Sequence, residues 1–176
     1  MFLSGIVMQC GEIWNDARRF TLCMMKEFGM GKAAAEDIIC HESTQVMEMF
    51  ASYENRAFNP LYAVSIAVSN IICSFVFGRR FDYEDPKFKR SLLSINNFAV
   101  TLSKPLTVLP LRTRLGRWIF KKKHEELQKH FRVFGEFVER EIAEHKQRYN
   151  GTVNDLIDGF LLEMETNTHS PSFTGE

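Results

Sequence analysis

Trp14 and Arg18 lie four residues apart in the segment GEIWNDARRF, residues 11–20, and their types suit the binding of an anion. On a helix, residues i and i+4 lie one above the other, so these two side chains share a face, whereas Arg19 points about 100° away. The indole donates one N–H and accepts nothing, and the guanidinium donates several N–H groups and carries a permanent charge. A carboxylate is therefore the natural ligand of the pair. The alternative interpretation is that the two side chains stack by cation–π contact and bind nothing.

Patterns of other catalytic and metal sites are incomplete in this sequence. His124-Glu125 begins like a zinc-binding H-E-x-x-H helix, but Gln128 stands where the second His is needed, and His130 falls on another face. The glycines of Phe28-Gly29-Met30-Gly31 follow a predicted helix, whereas anion-binding glycine loops precede one. No nucleophile elbow of the G-x-S-x-G type occurs in the sequence. The residues alone therefore indicate no zinc site, phosphate loop or catalytic Ser.

Length and composition predict one compact domain, or a piece of a larger one. The chain has 176 residues, and its 22 Lys+Arg and 22 Asp+Glu give a formal net charge of +0. No overall field attracts nucleic acid, so electrostatic recognition must be local. Hydrophobic residues make up 45% of the chain, with 16 Phe and 5 Pro, which is typical of an aromatic globular core. The four cysteines form no C-x-x-C pair and are interpreted as reduced thiols.

Hydrophobic periodicity predicts six helices and no sheet to position these residues. The predicted helices cover 12–28, 32–53, 61–77, 86–104, 117–149 and a last segment that begins with a capping box at Thr152 and Asp155. Asp85 caps the fourth helix, whose apolar positions are Phe88, Leu92, Ile95, Ala99 and Leu102. Residues 105–116 are predicted to be a loop.

The predicted helix at 61–77 is apolar almost all round, which favours a buried position at the centre of the fold. A membrane span is the rival interpretation, because Arg79-Arg80 follows the segment like a stop signal. The segment is shorter than the about 20 residues that a span needs, and polar side chains interrupt it at Ser65, Ser69, Asn70 and Ser74. The buried helix is therefore preferred.

Three motifs in order carry a resemblance to a known family. They are W-x-x-x-R-R-F from Trp14 to Phe20, F-G-M-G-K from Phe28 to Lys32, and N-x-I-C-S-x-x-F-G-x-R-F-D-Y from Asn70 to Tyr83. Together they resemble the middle of a microsomal cytochrome P450 of the family-two branch, a haem-thiolate monooxygenase. The resemblance spans most of the chain, is strongest from Gly5 to Asp85 and weakens from Pro105 to Arg117.

The resemblance implies an all-α, partial cytochrome P450 fold: about six helices of the distal helical shell, from the third to the eighth helix region, with little or no sheet. Residues 1–176 are then part of a single P450 domain whose N-terminal anchor and C-terminal haem-thiolate half are missing. The family holds its haem iron through a Cys in F-x-x-G-x-R-x-C-x-G, and no Cys here has that frame. The supporting E-x-x-R pair is also missing. The iron ligand and the catalytic residues are therefore expected outside this chain.

The resemblance also assigns site residues. Trp14 and Arg18 correspond to residues that donate hydrogen bonds to a haem propionate. The resemblance therefore implies that the carboxylate bound by this pair is a propionate. The surface that meets NADPH-cytochrome P450 reductase is matched by Arg19, Phe28, Met30 and Lys32. Asn15 stands where relatives often carry a basic residue, which is expected to weaken that docking. The residues that correspond to the lining of the substrate pocket are Val7, Met8, Phe98, Ala99 and Leu102.

The implied function is oxidation of small apolar organic substrates with O2 and reductase-supplied electrons, on the cytosolic face of the endoplasmic reticulum membrane. Membrane association is expected through the missing anchor, and the isolated segment is expected to be inactive and cytosolic. The alternative hypothesis is a truncated, haem-free helical module that competes for the reductase through Arg19, Phe28, Met30 and Lys32.

Overall fold

The computed structural model describes residues 11–103, 113 and 118–167, and these residues form six helices and no strand. The helices are, in chain order, α1 Glu12–Glu27, α2 Ala33–Ala51, α3 Leu61–Val76, α4 Pro86–Leu102, α5 Lys121–Arg148 and α6 Leu156–Thr166. The predicted all-α fold with about six helices is confirmed. The expected loop at 105–116 lies outside the described residues, apart from residue 113.

The chain divides into two compact units, the first formed by Met1–Arg80 with Glu144–Glu176 and the second by Phe81–Ala143. In the first unit, α1 packs against α6, while α3 packs against both α2 and α6. Phe20 of α1 meets Phe160 of α6 edge to face, with ring centroids 5.9 Å apart. This first unit contains the predicted Trp14–Arg18 face and the turn that follows it.

Aromatic rings form the core of the second unit. Phe81 stacks on Phe88 at 4.9 Å between ring centroids, and Phe137 lies 5.2 Å from Phe81. All three side chains are at most 5% exposed. Burial of each Phe side chain contributes roughly 1.5 to 3 kcal/mol, and the cluster joins Phe88 of α4 to Phe137 of α5, whose ring centroids are 6.2 Å apart.

The helix α3 is buried on one face only. Ala63, Ile66, Ala67, Asn70, Cys73 and Phe75 are buried. Leu61, Val64, Val68 and Ile72 are each at least 46% exposed. The predicted burial of α3 is therefore confirmed for the face that α2 and α6 cover and wrong for the face that these four residues form. None of the helices in the described part of the chain combines the length and apolarity needed to cross a bilayer.

The N-terminal ends of α4 and α6 test the predicted caps. The Asp85 side chain accepts hydrogen bonds from the N–H groups of Lys87 and Phe88, with Pro86 at the first helical position, as predicted. The predicted capping box at Thr152 is wrong by three residues, because the N-cap of α6 is Asp155, whose carboxylate accepts from the Asp158 N–H at 2.9 Å. The Thr152 N–H donates instead to the Asn150 side chain, which keeps the chain in a turn.

Candidate functional site

Trp14 and Arg18 share a face of α1, as their spacing predicts. The Arg18 Cζ lies 5.3 Å from the centroid of the Trp14 ring, which is a cation–π contact. Trp14 is half-buried and Arg18 is exposed. A guanidinium has five N–H groups, so one contact with a ring leaves Arg18 donors for other acceptors. Stacking and anion binding are therefore compatible at this pair.

The F-G-M-G-K segment forms the turn that ends α1 and leads into α2. The Met30 N–H donates to the Met25 carbonyl at 2.9 Å, and the Gly29 N–H donates to the Lys26 carbonyl at 3.2 Å. This pair of bonds forms a Schellman motif, which needs a positive φ at the residue directly after the C-cap. Gly29 supplies it with φ 102°, and a Cβ at this position would lie 2.8 Å from the Ala34 Cβ. The F-G-M-G-K motif of the sequence therefore forms the C-terminal cap of α1.

The four residues predicted to bind a redox partner lie on α1 and this turn. Arg19 and Lys32 are exposed, whereas Phe28 and Met30 are half-buried. Lys32 is the N-cap residue of α2, with an extended backbone at φ −123° and ψ 173°. The side chains of Arg19 and Lys32 are therefore accessible to a partner, whereas those of Phe28 and Met30 are partly covered within the turn.

The predicted substrate-pocket residues are only partly described by the structure. Val7 and Met8 lie outside the described residues, and so does the side chain of Leu102. Phe98 is 9% exposed, and its ring centroid lies 5.6 Å from that of Phe131. Ala99 is exposed. Within the described residues, Phe98 is a packing residue and Ala99 is the accessible member of the set.

Sequence reasoning missed a buried carboxylate in the first unit. Glu42 of α2 is 1% exposed, and its Oε1 accepts a hydrogen bond from Arg80 Nε at 2.9 Å. Arg80 belongs to the third motif, directly before the aromatic segment that begins at Phe81. No local pattern links residues 42 and 80, although a carboxylate among apolar helical positions was the available signal.

A second polar group, also missed, lies at the turn between α5 and α6. Nε2 of His145 and Oδ2 of Asp155 are 2.8 Å apart, and each side chain is 1% exposed. Arg148 Nη2 contacts His145 Nε2 and lies 3.5 Å from Asp155 Oδ2. Asp158, one helical turn after Asp155, is 4% exposed. We call His145, Arg148, Asp155 and Asp158 the α5–α6 cluster.

A cavity of about 340 Å³ adjoins the α5–α6 cluster. Its lining includes Gly78, Arg148, Tyr149, Asp155 and Asp158. The hydroxyl oxygen of Tyr149 is buried without a hydrogen-bond partner among the described residues. Burial, with smaller contributions from the charges of Glu165 and Asp158, raises the pKa of Tyr149. The raised pKa keeps the phenol protonated at neutral pH, so its hydroxyl is a hydrogen-bond donor rather than an anion.

Comparison with known proteins identifies the family. The family model of cytochrome P450 matches residues 3–176. The chain is 30% identical to cytochrome P450 2S1 of Mus musculus over 172 residues, which cover 95% of this chain and 34% of the relative. It is 32% identical to cytochrome P450 2J2 of Homo sapiens over 173 residues, which cover 96% of this chain and 34% of the relative. The chain belongs to the cytochrome P450 family, and it spans about a third of the length of these curated relatives.

Membership of this family implies a haem cofactor, and the donor chemistry of α1 fits its acidic edge. The exposed guanidinium of Arg18 and the half-buried indole of Trp14 offer N–H donors and no acceptor. A propionate is a carboxylate that such donors bind through charge-assisted hydrogen bonds. Among the described cysteines, Cys23 and Cys40 are exposed on α1 and α2, and Cys73 is buried within α3.

Proposed function

We propose that this chain contributes the propionate-binding helix of a haem-thiolate monooxygenase that oxidises small apolar organic substrates with O2. The observation that carries the proposal is the Trp14–Arg18 contact on α1, in a chain that matches the cytochrome P450 family over residues 3–176. When bound, a thiolate-ligated haem supplies the cleavage of the O–O bond. The residues of this chain hold the acidic edge of the cofactor. No cysteine of residues 1–176 is proposed as the iron ligand.

The residues proposed to line the substrate pocket are Val7, Met8, Phe98, Ala99 and Leu102. Ala99 is exposed, so it can contact a substrate directly, whereas the buried Phe98 ring acts by shaping α4 against Phe131. Apolar side chains at these positions agree with an apolar substrate.

A haem titration tests the proposed cofactor role. Trp118→Phe leaves Trp14 as the single indole, since the chain contains two Trp residues. Haem is then added, and quenching of Trp14 fluorescence gives the Kd. Arg18→Gln removes charge-assisted hydrogen bonds to the propionate, so we expect the haem Kd to rise about tenfold. The matched control is Arg19→Gln, which lies on another face of α1 and should leave the Kd within about twofold.

Haem dimethyl ester separates propionate binding from adsorption of the porphyrin. Its carboxylates are blocked, so the difference in affinity between the original chain and the Arg18→Gln variant should vanish with this ligand. Equal haem affinities of the Arg18→Gln and Arg19→Gln chains would contradict the proposed role. After reduction and addition of carbon monoxide, the haem mixture should show no band of a thiolate-ligated haem. Such a band would contradict the proposed absence of an iron ligand in residues 1–176.

We also propose that α1 and the following turn bind NADPH-cytochrome P450 reductase through Arg19, Phe28, Met30 and Lys32, at the cytosolic face of the endoplasmic reticulum membrane. Exposure of Arg19 and Lys32 supports the proposal, because exposed cations accelerate encounter with an acidic partner. The expected result is a salt-sensitive pull-down of the reductase that Arg19→Glu and Lys32→Glu abolish. The control Lys121→Glu changes an exposed Lys in the second unit and should have no effect.

The alternative function is a haem-free helical module that competes for the reductase. The same exposed pair favours it, since Arg19 and Lys32 need no haem to bind a partner. Haem-free chain that inhibits reduction of another P450 would support this alternative. Reductase binding only in the presence of haem would contradict it.

A further inference from the structure

The α5–α6 cluster gathers buried ligand-type groups that the proposed haem chemistry does not use. His145, Asp155 and Asp158 each offer one ligand atom, and these three atoms all lie within 4.8 Å of one another. The backbone explains why they meet, because His145 is in the last turn of α5 while Asp155 caps α6 and Asp158 is its third residue. Only a short segment, residues 149–155, separates the two helices along the chain.

One carboxylate oxygen of this cluster lacks a partner. Asp158 Oδ2 accepts from the Asn154 backbone N–H at 3.2 Å and from its side-chain amide at 3.3 Å. Asp158 Oδ1 is buried and has no hydrogen-bond partner among the described residues. A buried carboxylate oxygen left unpaired is costly, so the site calls for a positive ligand or donor. The adjoining cavity of about 340 Å³, which Asp158 lines, has room for an ion and its water.

His145 Nε2 contacts one hydrogen-bond acceptor and one hydrogen-bond donor. Toward Asp155 Oδ2, at 2.8 Å, the nitrogen must carry a proton, whereas toward the Arg148 guanidinium it must offer its lone pair. One ring nitrogen cannot do both at once. A metal ion bound to the Nε2 lone pair and to Asp155 Oδ2 satisfies both atoms together.

The charges of the cluster also favour a divalent ion. Asp155 and Asp158 bring two negative charges, and the neighbouring cation, Arg148, brings one positive charge. The Arg148 side chain is 51% exposed, so it can move into solvent at little cost. An ion of charge +2 in its place balances both carboxylates.

We propose that His145, Asp155 and Asp158 bind a divalent transition metal ion such as Zn²⁺, with a fourth position open toward the cavity and with Arg148 displaced. One imidazole and two carboxylates match the mixed nitrogen and oxygen donors of Zn²⁺ sites, whereas Ca²⁺ and Mg²⁺ prefer oxygen alone. Ligand atoms around a tetrahedral Zn²⁺ lie about 3.4 Å apart. Nε2 of His145 and Oδ2 of Asp155 are 2.8 Å apart, so these two atoms must separate by a small side-chain movement when the ion enters.

Zn²⁺ titration of the chain tests the site. The reactive thiols of the chain, which include the exposed Cys23 and Cys40, are first alkylated so that they do not bind the metal. Competition with a chromophoric chelator then gives the Zn²⁺ affinity, and Co²⁺ absorption reports the geometry. Asp158→Asn keeps the shape of the side chain and an acceptor for Asn154, and we expect it to lower Zn²⁺ affinity at least tenfold. The matched control Asp37→Asn changes an exposed Asp of α2 and should leave the affinity unchanged.

Arg148→Gln gives a test with the opposite sign. Removing the competing guanidinium should raise Zn²⁺ affinity at least threefold, a change that a purely structural role of Arg148 does not predict. Equal affinities of the wild-type and Asp158→Asn chains would overturn the proposal. If Asp158→Asn loses its helical circular dichroism, Arg148→Gln decides alone: higher affinity supports the site, and unchanged or lower affinity overturns it.

Discussion

Arg79 and Arg80 are neighbours in the chain, yet they meet carboxylates in different surroundings. Arg79 Nη2 lies 3.3 Å from Glu144 Oε2, and the two side chains are 43% and 49% exposed. Arg80 Nε lies 2.9 Å from Glu42 Oε1, and the Glu42 side chain is 2% exposed. Water screens the first pair, whereas the second carboxylate depends on protein donors for the compensation of its charge.

Alanine substitution of the two arginines should therefore have unequal effects. We expect Arg80→Ala to lower the free energy of unfolding by about 2 kcal/mol, less than for a fully buried pair because Arg80 itself is 42% exposed. Arg79→Ala is the matched control and should cost about 0.5 kcal/mol. Urea denaturation followed by circular dichroism measures both values. Equal losses would show that burial of Glu42 does not set the strength of its pair.

Among contacts between individual residues, the sequence predicts those between residues that are close together in the chain. The face shared by Trp14 and Arg18 follows from the i, i+4 spacing, and the Asp85 cap follows from its place before Pro86. The partner of Glu42 is 38 residues away, and the partner of His145 lies across a turn whose cap was misplaced. Such pairs depend on how helices pack, which no short motif in this chain specifies.

Two glycines of the helical segments differ in the backbone conformation that their positions require. Gly29 ends α1 with φ 102° and lies against Ala34. Gly135 lies inside α5, and a Cβ at this position meets nothing within 4 Å. The first glycine is required by the turn, and the second only lowers helix propensity.

Alanine at these two positions should change stability in opposite directions. Gly135→Ala should raise the free energy of unfolding by about 0.5 to 1 kcal/mol, because Ala restricts the unfolded chain and fits the helix. Gly29→Ala should lower it by more than about 1 kcal/mol, since it adds strain at positive φ and contact with Ala34. Thermal unfolding of both variants checks the signs. Stabilisation by Gly29→Ala would contradict the Schellman turn described for this segment.

In the described part of the chain, the number and type of the helices were predictable because most of the helices carry a sustained apolar period. The first residue of α6 was not predictable, since Thr152 and Asp155 are both residue types that suit an N-cap. In the structure, Asp155 caps the helix, and the Thr152 N–H donates to the Asn150 side chain in the preceding turn. Burial of α3 was mispredicted on one of its faces. Hydrophobicity all round a helix indicates that its faces avoid water, but it does not say which partner covers each face.

For the molecule as a whole, the exposed face of α3 is the clearest departure from an ordinary globular surface. Leu61, Val64, Val68 and Ile72 follow one another along α3, and Leu61 is 69% exposed. A continuous apolar stripe on a surface promotes association with other apolar groups. The net charge of +0 opposes this association only weakly.

Polar substitution in this stripe should therefore reduce association without weakening the fold. We expect the double variant Val64→Gln/Val68→Gln to bind less of an apolar fluorescent dye and to scatter less light at equal concentration, because it interrupts the stripe at its centre. Its free energy of unfolding should stay within about 0.5 kcal/mol of the original, since exposed Gln favours a helix slightly more than Val. Ile66→Ala, on the buried face at 0% exposure, is the contrast and should cost about 3 kcal/mol. A loss of stability in the double variant as large as that of Ile66→Ala would mean that the two valines are packed in solution, against the exposure described for them.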